Sequence, residues 1–460
     1  MNVPRSVLSH PVPPGAMLGV LGGGQLGRMW AHAAQTLGYQ TAVLDPDPHS
    51  PAGLVSHLHL CADYLDPQAL AQMAQQCAAI TTEFENVPAQ ALAQLAQTRF
   101  VSPAAAAVAV AQDRAQEKAH FTHCGVPVAP HAVLASAADV AAVSDALLPG
   151  VLKTARLGYD GKGQARVANR AELMAAWQAM QSTGLAMTSG DQAPGANAAR
   201  ATSPNMDEPH PAQAIASPQA HATPSATVCV LEKMLPLAAE CSVVLARGHD
   251  GQMVHLPVHA NLHRDGILAV TEVGDGALDT ALAAQALAAA REVAQGLNYV
   301  GVLCVEFFVL HPDAPGGKPR LVVNEIAPRP HNSGHHSIDS CDVSQFELQV
   351  RCMAGLPLVP PRAHSAAVML NILGDLWWPG ALAAGAKGPL DKSAHPPTEP
   401  AYEPDWAAVL ALPGVHLHQY GKTQPRRGRK MGHLTCTAPT LVQARDVARQ
   451  AAQCLGLAPW

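Results

Sequence analysis

The stretch from residue 17 to residue 45 constrains the fold more than any other. A short apolar run, Met17–Leu21, leads directly into GGGQLG, then into a helical pattern over 25–37, then into a second apolar run over 39–44 that ends at Asp45. A chain in this order builds a strand, a tight glycine turn, a helix and a second parallel strand, so it is α/β from the outset. The turn satisfies GxGxxG with Gly22, Gly24 and Gly27. Without side chains there, backbone N–H groups can approach a phosphate at a helix N-terminus. Asp45 follows at the distance expected of a ribose ligand. These residues alone leave three readings open: a nicotinamide dinucleotide, another anionic ligand, or a tight strand–helix junction.

The remaining pattern divides the chain further. Ala-rich helices and short strands continue to about residue 128, and the strand over 79–82 runs into a polar stretch that begins at Glu83. A second region has a strand over 151–153 bearing Lys153, then a glycine loop, GYDGKGQ (158–164), then a helix over 171–180. Residues 188–226 hold six prolines and no aromatic side chain, the composition of a disordered surface insertion. A third region has strands over 241–246 and 253–258, a long helix over 278–297, and a hairpin of 302–310 with 321–326. Three prolines near 357–362 mark a boundary before a small α+β unit with a strand over 367–372 and a helix over 440–454. The expected division is a disordered tail (1–16), a Rossmann-like parallel α/β domain (17–128), a small lobe (129–235) carrying the insertion 188–226, a large lobe (236–360) and a C-terminal domain (361–460).

Composition removes several function classes. The formal charge is −6, against the basic footprint of a general nucleic-acid binder, and Phe, Trp and Tyr number only six each. No run approaches the roughly 20 apolar residues that span a bilayer. The first 16 residues have neither the apolar core of a secretory signal nor the pattern of a transit peptide. Ten cysteines are scattered with no CxxC pair, as expected of reduced, mostly buried thiols in a cytoplasmic protein.

Four constellations carry chemistry. The first is GYDGKGQ, where Gly158, Gly161 and Gly163 give mobility and Lys162 gives charge beside Tyr159, Asp160 and Gln164. With Lys153 on the preceding strand, it suits the β and γ oxygens of a nucleoside triphosphate, although no Walker A pattern is present. The second is Glu306 and Glu325 on the two hairpin strands. By the period of two, Glu306 shares a face with Phe308 and Leu310, and Glu325 with Leu321 and Val323. Carboxylates on apolar strands need a partner, and Mg²⁺ on a triphosphate is favoured over a salt bridge. The third is APRPHNSGHH (327–336), where Arg329, His331, Asn332 and His335 can converge on a small planar anion. Its histidines lack the spacing of a zinc motif. The fourth is KTQPRRGRK (422–430), five basic residues in nine, an anion clamp between apolar strands.

Taken together, the segments GGGQLGRM (22–29), TTEFENV (81–87), GYDGKGQ (158–164), NLHRDGIL (261–268), NEIAPRPHNSGH (324–335), HLHQYGK (416–422) and GRKMGHL (428–434) resemble the ATP-grasp superfamily. They are most similar to its carboxyaminoimidazole ribonucleotide synthase branch, in order and over nearly the whole chain. The resemblance implies an ATP-grasp fold preceded by a Rossmann-like domain and followed by a small C-terminal domain. It implies ATP- and bicarbonate-dependent carboxylation of 5-aminoimidazole ribonucleotide through carboxyphosphate, with release of ADP and phosphate.

It also implies residue roles. Arg114, Lys153 and the loop Gly158, Tyr159, Asp160, Gly161, Lys162, Gly163 and Gln164 would meet the ATP phosphates. Glu232, Lys233, Met234 and Leu235 would form the adenine hinge, with Glu240 on the ribose and His263 and Asn324 at the nucleotide's border. Glu306 and Glu325 would hold two Mg²⁺ ions. Gly24, Gln25, Leu26, Glu83, Tyr159, Asp160, Lys162, Lys422 and Arg429 would hold the ribonucleotide, with Asp160 orienting its amine. Arg329 and His331 would hold bicarbonate. Ala327 stands where many superfamily members carry Asn, so Asn324 or water would complete the metal site. The implied assembly is a homodimer with no nucleic-acid or membrane partner. A formate-using transformylase and a biotin carboxylase-like ligase are the alternatives within the superfamily, and a nicotinamide dehydrogenase lies outside it.

Overall fold

The computed structural model describes residues 10–156, 163–188 (backbone only beyond 182), 227–312, 317–378 and 402–460. The expected insertion and most of the GYDGKGQ loop, residues 158–162, therefore lie outside the described residues.

The N-terminal strands Met17–Leu21, Gln40–Leu44, Leu58–Leu60, Ala79–Thr82 and Phe100–Val101 form a parallel sheet in the order third, second, first, fourth, fifth. The side chains of Met17–Leu21 and Ala79–Thr82 are almost all buried, as expected of parallel strands covered on both faces. The strand order reverses between the first and fourth strands, so a crevice opens beyond Leu21 and Thr82. Gly22 and Glu83 are the next residues along each strand. Helix Gln25–Thr36 follows the glycine turn, and helix Pro67–Gln76 starts at an Asp66 cap with proline at its first position.

The tail expected over 1–16 does not extend to residue 16. Val12 is buried, its N–H donates to the Ala354 carbonyl at 2.8 Å, and its carbonyl accepts from the Tyr39 hydroxyl at 2.7 Å. An apolar side chain with both backbone groups satisfied docks this segment against the first domain and helix Gln345–Ala354.

A four-stranded antiparallel sheet follows, in the order His131–Leu134, Cys229–Lys233, Gly150–Thr154, Gln164–Val167. Helix Arg170–Thr188 covers it and runs beyond the expected residue 180. The Gln181 side-chain amide bonds both the N–H and the C=O of Thr227, at 2.7 and 2.8 Å, so the two ends of the intervening segment meet.

A nine-stranded sheet carries the remainder. Strand Leu237–Arg247 pairs with Gly301–Leu310, which pairs with Arg320–Ala327. On its other side the sheet continues through His259–Arg264 and Ile267–Val273 into Ala366–Leu373, Lys430–Ala438 and Val415–Gln419. The boundary read near 357–362 is thus a connection within one continuous sheet. Helix Thr280–Gly296, capped by Asp279, packs its buried face on Val305, Phe307, Val309, Leu321 and Val323. Helix Leu441–Leu455 covers the C-terminal strands.

Candidate functional site

At the glycine turn, backbone donors meet carboxylates of the chain itself. The Gly24 N–H donates to Glu83 Oε1 at 2.9 Å, the Gly27 N–H to Glu83 Oε2 at 3.0 Å, and the Gly23 N–H to Asp45 Oδ2 at 2.7 Å. A Cβ on Gly24 would lie 2.7 Å from the Glu83 carboxylate, so the close approach requires glycine. Burial pushes the Glu83 pKa up, against the pull of the two N–H groups and Arg329. Asp45 also accepts from the Tyr64 hydroxyl at 2.7 Å. Glu83 therefore takes the place of a pyrophosphate, and Asp45 is committed to the turn instead of a ribose. This geometry argues against the dinucleotide alternative. Beyond the turn, Gly24, Gln25, Leu26 and Glu83 line a cavity of about 610 Å³ whose opposite wall includes Lys422 and Arg429. Tyr159, Asp160 and Lys162, assigned to the same site by sequence, lie outside the described residues.

The residues expected to meet the nucleotide lie between the two antiparallel sheets. Lys153, on strand Gly150–Thr154, places its ammonium 3.1 Å from Glu232 Oε1. Burial lowers its pKa, against the attraction of Glu232. Glu232, Lys233, Met234 and Leu235 line one cavity with Lys153, Gln164 and Phe308. A second cavity, of about 300 Å³, is lined by Arg114, Lys153, Gln164, Glu240, His263, Glu306, Asn324 and Glu325. His263 pairs with Glu240. Burial would lower its pKa, but Glu240 and Glu306 raise it. Gly163 closes the glycine loop in a left-handed conformation, φ +68°, with its carbonyl accepting from Thr154 N–H.

Glu306 and Glu325 are directly opposed across the two strands, but not by the plain period of two. The register shifts after this pair: Phe307 faces Val323 and Phe308 faces Val322. Asn324 is the extra residue, a β-bulge. It turns Glu325 away from the Leu321 and Val323 face, which packs on the helical core, and onto the face of Glu306 and Phe308. This corrects the expected face and brings the two carboxylates together. Glu306 pairs with His331 Nε2 at 2.8 Å and Glu325 with Arg114 at 3.0 Å. Burial would raise the Glu306 pKa, but His331, His263 and Lys430 outweigh it and hold it at about 2. The Asn324 Oδ1 is buried without a partner. Two carboxylates and an unpartnered amide oxygen on one wall suit a hard divalent cation.

The other His/Cys/Asp clusters do not suit one. Cys304 adjoins Glu306 and His331, but burial holds its thiol well above the usual range. Asp339, His418 and His433 also lie close together, yet the two imidazoles stack 11° apart, with His418 Nε2 bonded to Asp339 at 2.8 Å and His433 Nδ1 to the Tyr420 hydroxyl at 3.0 Å.

Arg329, His331 and Asn332 line both the carboxylate cavity and the glycine-turn cavity. Arg329 donates to Glu85 Oε2 at 2.5 Å, and the His331 Nδ1 lies 2.9 Å from Ser333 Oγ. His335 is bonded to Gln345 instead of joining them as an anion ligand; it lines the glycine-turn cavity and not the carboxylate one, and burial lowers its pKa well below the usual range. Sequence reasoning missed Glu85, which lines both cavities, as does Lys430 of the basic run 422–430. The signal was present for Glu85, a carboxylate just past a buried strand end, but its Arg329 partner is 244 residues away.

The comparisons with known proteins follow the same outline. Family models match a "Ribonucleotide synthetase preATP-grasp domain" over residues 16–112, an "ATP-grasp domain" over 119–189 and 207–346, and a "Phosphoribosylaminoimidazole carboxylase C-terminal domain" over 367–447. A curated relative from Brucella melitensis, named N5-carboxyaminoimidazole ribonucleotide synthase, is 36% identical over 93% of this chain and 98% of its own. The chain belongs to the N5-carboxyaminoimidazole ribonucleotide synthase family. The solved N5-carboxyaminoimidazole ribonucleotide synthetase of Thermus thermophilus is 32% identical, with a TM-score of 0.73 over 96% of this chain and 100% of that one. A synthase of this family from Aspergillus clavatus, solved with ADP and 5-aminoimidazole ribonucleotide, matches at 26% identity with a TM-score of 0.73 over 96% and 99%. As a carboxyaminoimidazole ribonucleotide synthase family member, this chain is an ATP-using ATP-grasp ligase of purine biosynthesis. Among its described residues, no helix is long and apolar enough to cross a membrane.

Proposed function

We propose that the chain joins bicarbonate to the exocyclic amine of 5-aminoimidazole ribonucleotide at the expense of ATP. One observation carries this reading: Arg329, His331 and Asn332 stand at the junction of the two cavities and line both. A carboxylated intermediate held there would face the nucleotide phosphates on one side and the ribonucleotide on the other. Bicarbonate oxygen attacks the γ-phosphorus, the bond to the β-phosphate oxygen breaks, and carboxyphosphate and ADP form. The amine then takes the carboxyl group, and phosphate leaves.

The proposed residue roles combine this geometry with the family resemblance. Arg114, Lys153 and residues 158–164 neutralise the phosphates, with adenine against Glu232, Lys233, Met234 and Leu235 and its ribose near Glu240. His263 and Asn324 border the nucleotide. Glu306 and Glu325, with Asn324 beside them, are the groups that would hold Mg²⁺, which supplies charge neutralisation during phosphoryl transfer. Arg329 holds the planar carbonate oxygens, with His331 beside it, its Nε2 bonded to Glu306. Gly24, Gln25, Leu26, Glu83, Lys422 and Arg429 hold the ribonucleotide, joined by Tyr159, Asp160 and Lys162 from the glycine loop. The proposed working form is a cytoplasmic homodimer.

ADP release, measured with bicarbonate and the ribonucleotide omitted in turn and then with Mg²⁺ chelated, tests the reading. ADP formation that needs neither bicarbonate nor Mg²⁺ would sink it.

A further inference from the structure

Helix Arg114–His123 lies behind the carboxylate pair, and one turn of it grips the bulged strand. Arg114, Glu117 and Lys118 share a face by their i, i+3 and i+4 spacing. Arg114 pairs with the Glu325 side chain at 3.0 Å. Glu117 Oε1 accepts the Ile326 N–H at 2.7 Å, and Lys118 Nζ donates to the Asn324 carbonyl at 2.9 Å. Three consecutive strand residues are held, and the middle one is Glu325. A bulge removes backbone groups from the ladder, and buried groups of that kind need other partners. Glu117 and Lys118 supply them.

Lys118 also reaches the opposite sheet. Its side chain is fully buried, and its ammonium lies 3.5 Å from Glu232 Oε1, the same oxygen that pairs with Lys153 at 3.1 Å. One ammonium thus touches the bulged strand of the large sheet and the hinge strand Cys229–Lys233 of the small sheet.

We propose that Lys118 is a positioning residue that ties the nucleotide hinge to the carboxylate Glu325, so that both halves of the nucleotide site share one anchor. This rests on the reading of Glu306 and Glu325 as magnesium ligands. Without the ammonium, Asn324 can return to the ladder, and a strand with a plain two-residue period turns Glu325 toward the core face. Glu232, still paired with Lys153 at 3.1 Å, draws that lysine away from the phosphates. Both effects stem from one side chain that touches no substrate.

The test compares Lys118→Met and Lys118→Arg with the unaltered chain in two measurements. ADP affinity is read by calorimetry in chelator, and the Mg²⁺ concentration for half-maximal ADP release is read at saturating ATP. Lys118→Met is expected to weaken both by roughly tenfold or more, the usual effect of losing a group that orients ligands, and Lys118→Arg to restore both to within about threefold. A folded Lys118→Met chain that shifts neither, or only one, overturns the proposal. Where Lys118→Met does not fold, Lys118→Leu combined with Glu232→Leu removes the buried pair together. An unchanged Mg²⁺ requirement in that chain overturns the proposal too. ADP affinity in chelator is independent of the acceptor, so absence of carboxylation in the unaltered chain counts against the proposed reaction and not against the anchor.

Discussion

Glu306 and Glu325 face each other across two antiparallel strands because Asn324 is inserted into the second of them. Two like charges on one wall repel, and the structure answers with His331 on one and Arg114 on the other. Glu325→Gln removes one of the proposed metal oxygens without creating a cavity. Turnover is expected to fall on the order of a hundredfold or more. The Glu325 side chain is 39% exposed, so its ion pair with Arg114 contributes about 1 kcal/mol or less, and the melting temperature should move little. ADP-release kinetics and a thermal melt check both statements, and near-normal turnover at low Mg²⁺ would remove Glu325 from the metal site.

Glu306 makes the fold acid-sensitive. Its pKa is lowered from 4.5 to about 2: burial opposes ionisation, but His331 and His263 override it. A carboxylate whose folded pKa is depressed contributes stability above its unfolded pKa and loses it as pH falls toward the folded one. Urea melts should therefore show the unaltered chain losing stability between about pH 4.5 and pH 2 more steeply than Glu306→Gln. Parallel curves would show that Glu306 is not the group responsible.

The N-terminal turn should ignore nicotinamide dinucleotides, because Glu83 already occupies the Gly24 and Gly27 donors. A fluorescence titration with NADH is expected to show no saturable binding. Glu83→Ala leaves those donors unpaired and should cost about 1 kcal/mol, as loss of a helix cap does. Saturable binding of NADH to the unaltered chain, or unchanged stability of the variant, contradicts this account.

Residues 189–226 should be dispensable for catalysis. Gln181 already joins the helix to Thr227, so the two ends of the segment meet without it. Replacing 189–226 with a short Gly/Ser linker is expected to leave kcat within about twofold, since flexible linkers of this kind span short gaps without strain. A large drop in kcat with an unaltered melt would assign the segment a role.

Much of the site was legible because its residues cluster in local motifs. Lys153 sits just before the glycine loop, and Arg329 and His331 lie in one proline-held run. Less legible were groups whose partners are distant in sequence. Lys118 carries no local signal, and Glu85 sits in a polar stretch, until the fold brings Asn324 and Arg329 against them. The Val12 segment was misread for the same reason: its anchors, Tyr39 and Ala354, are remote from it in the chain.

The sequence by itself determined the parallel α/β opening, the glycine turn, the two acidic strands and the family, because each depends on residue type and short-range order. Tertiary structure decided what meets the donors of the turn, since only the adjacency of the first and fourth strands delivers Glu83 to the Gly24 N–H. It also decided the face of Glu325. A period of two is a property of an isolated strand, whereas a bulge persists only when other elements satisfy the backbone groups it leaves unpaired. Here helix Arg114–His123 does so, through Glu117 and Lys118.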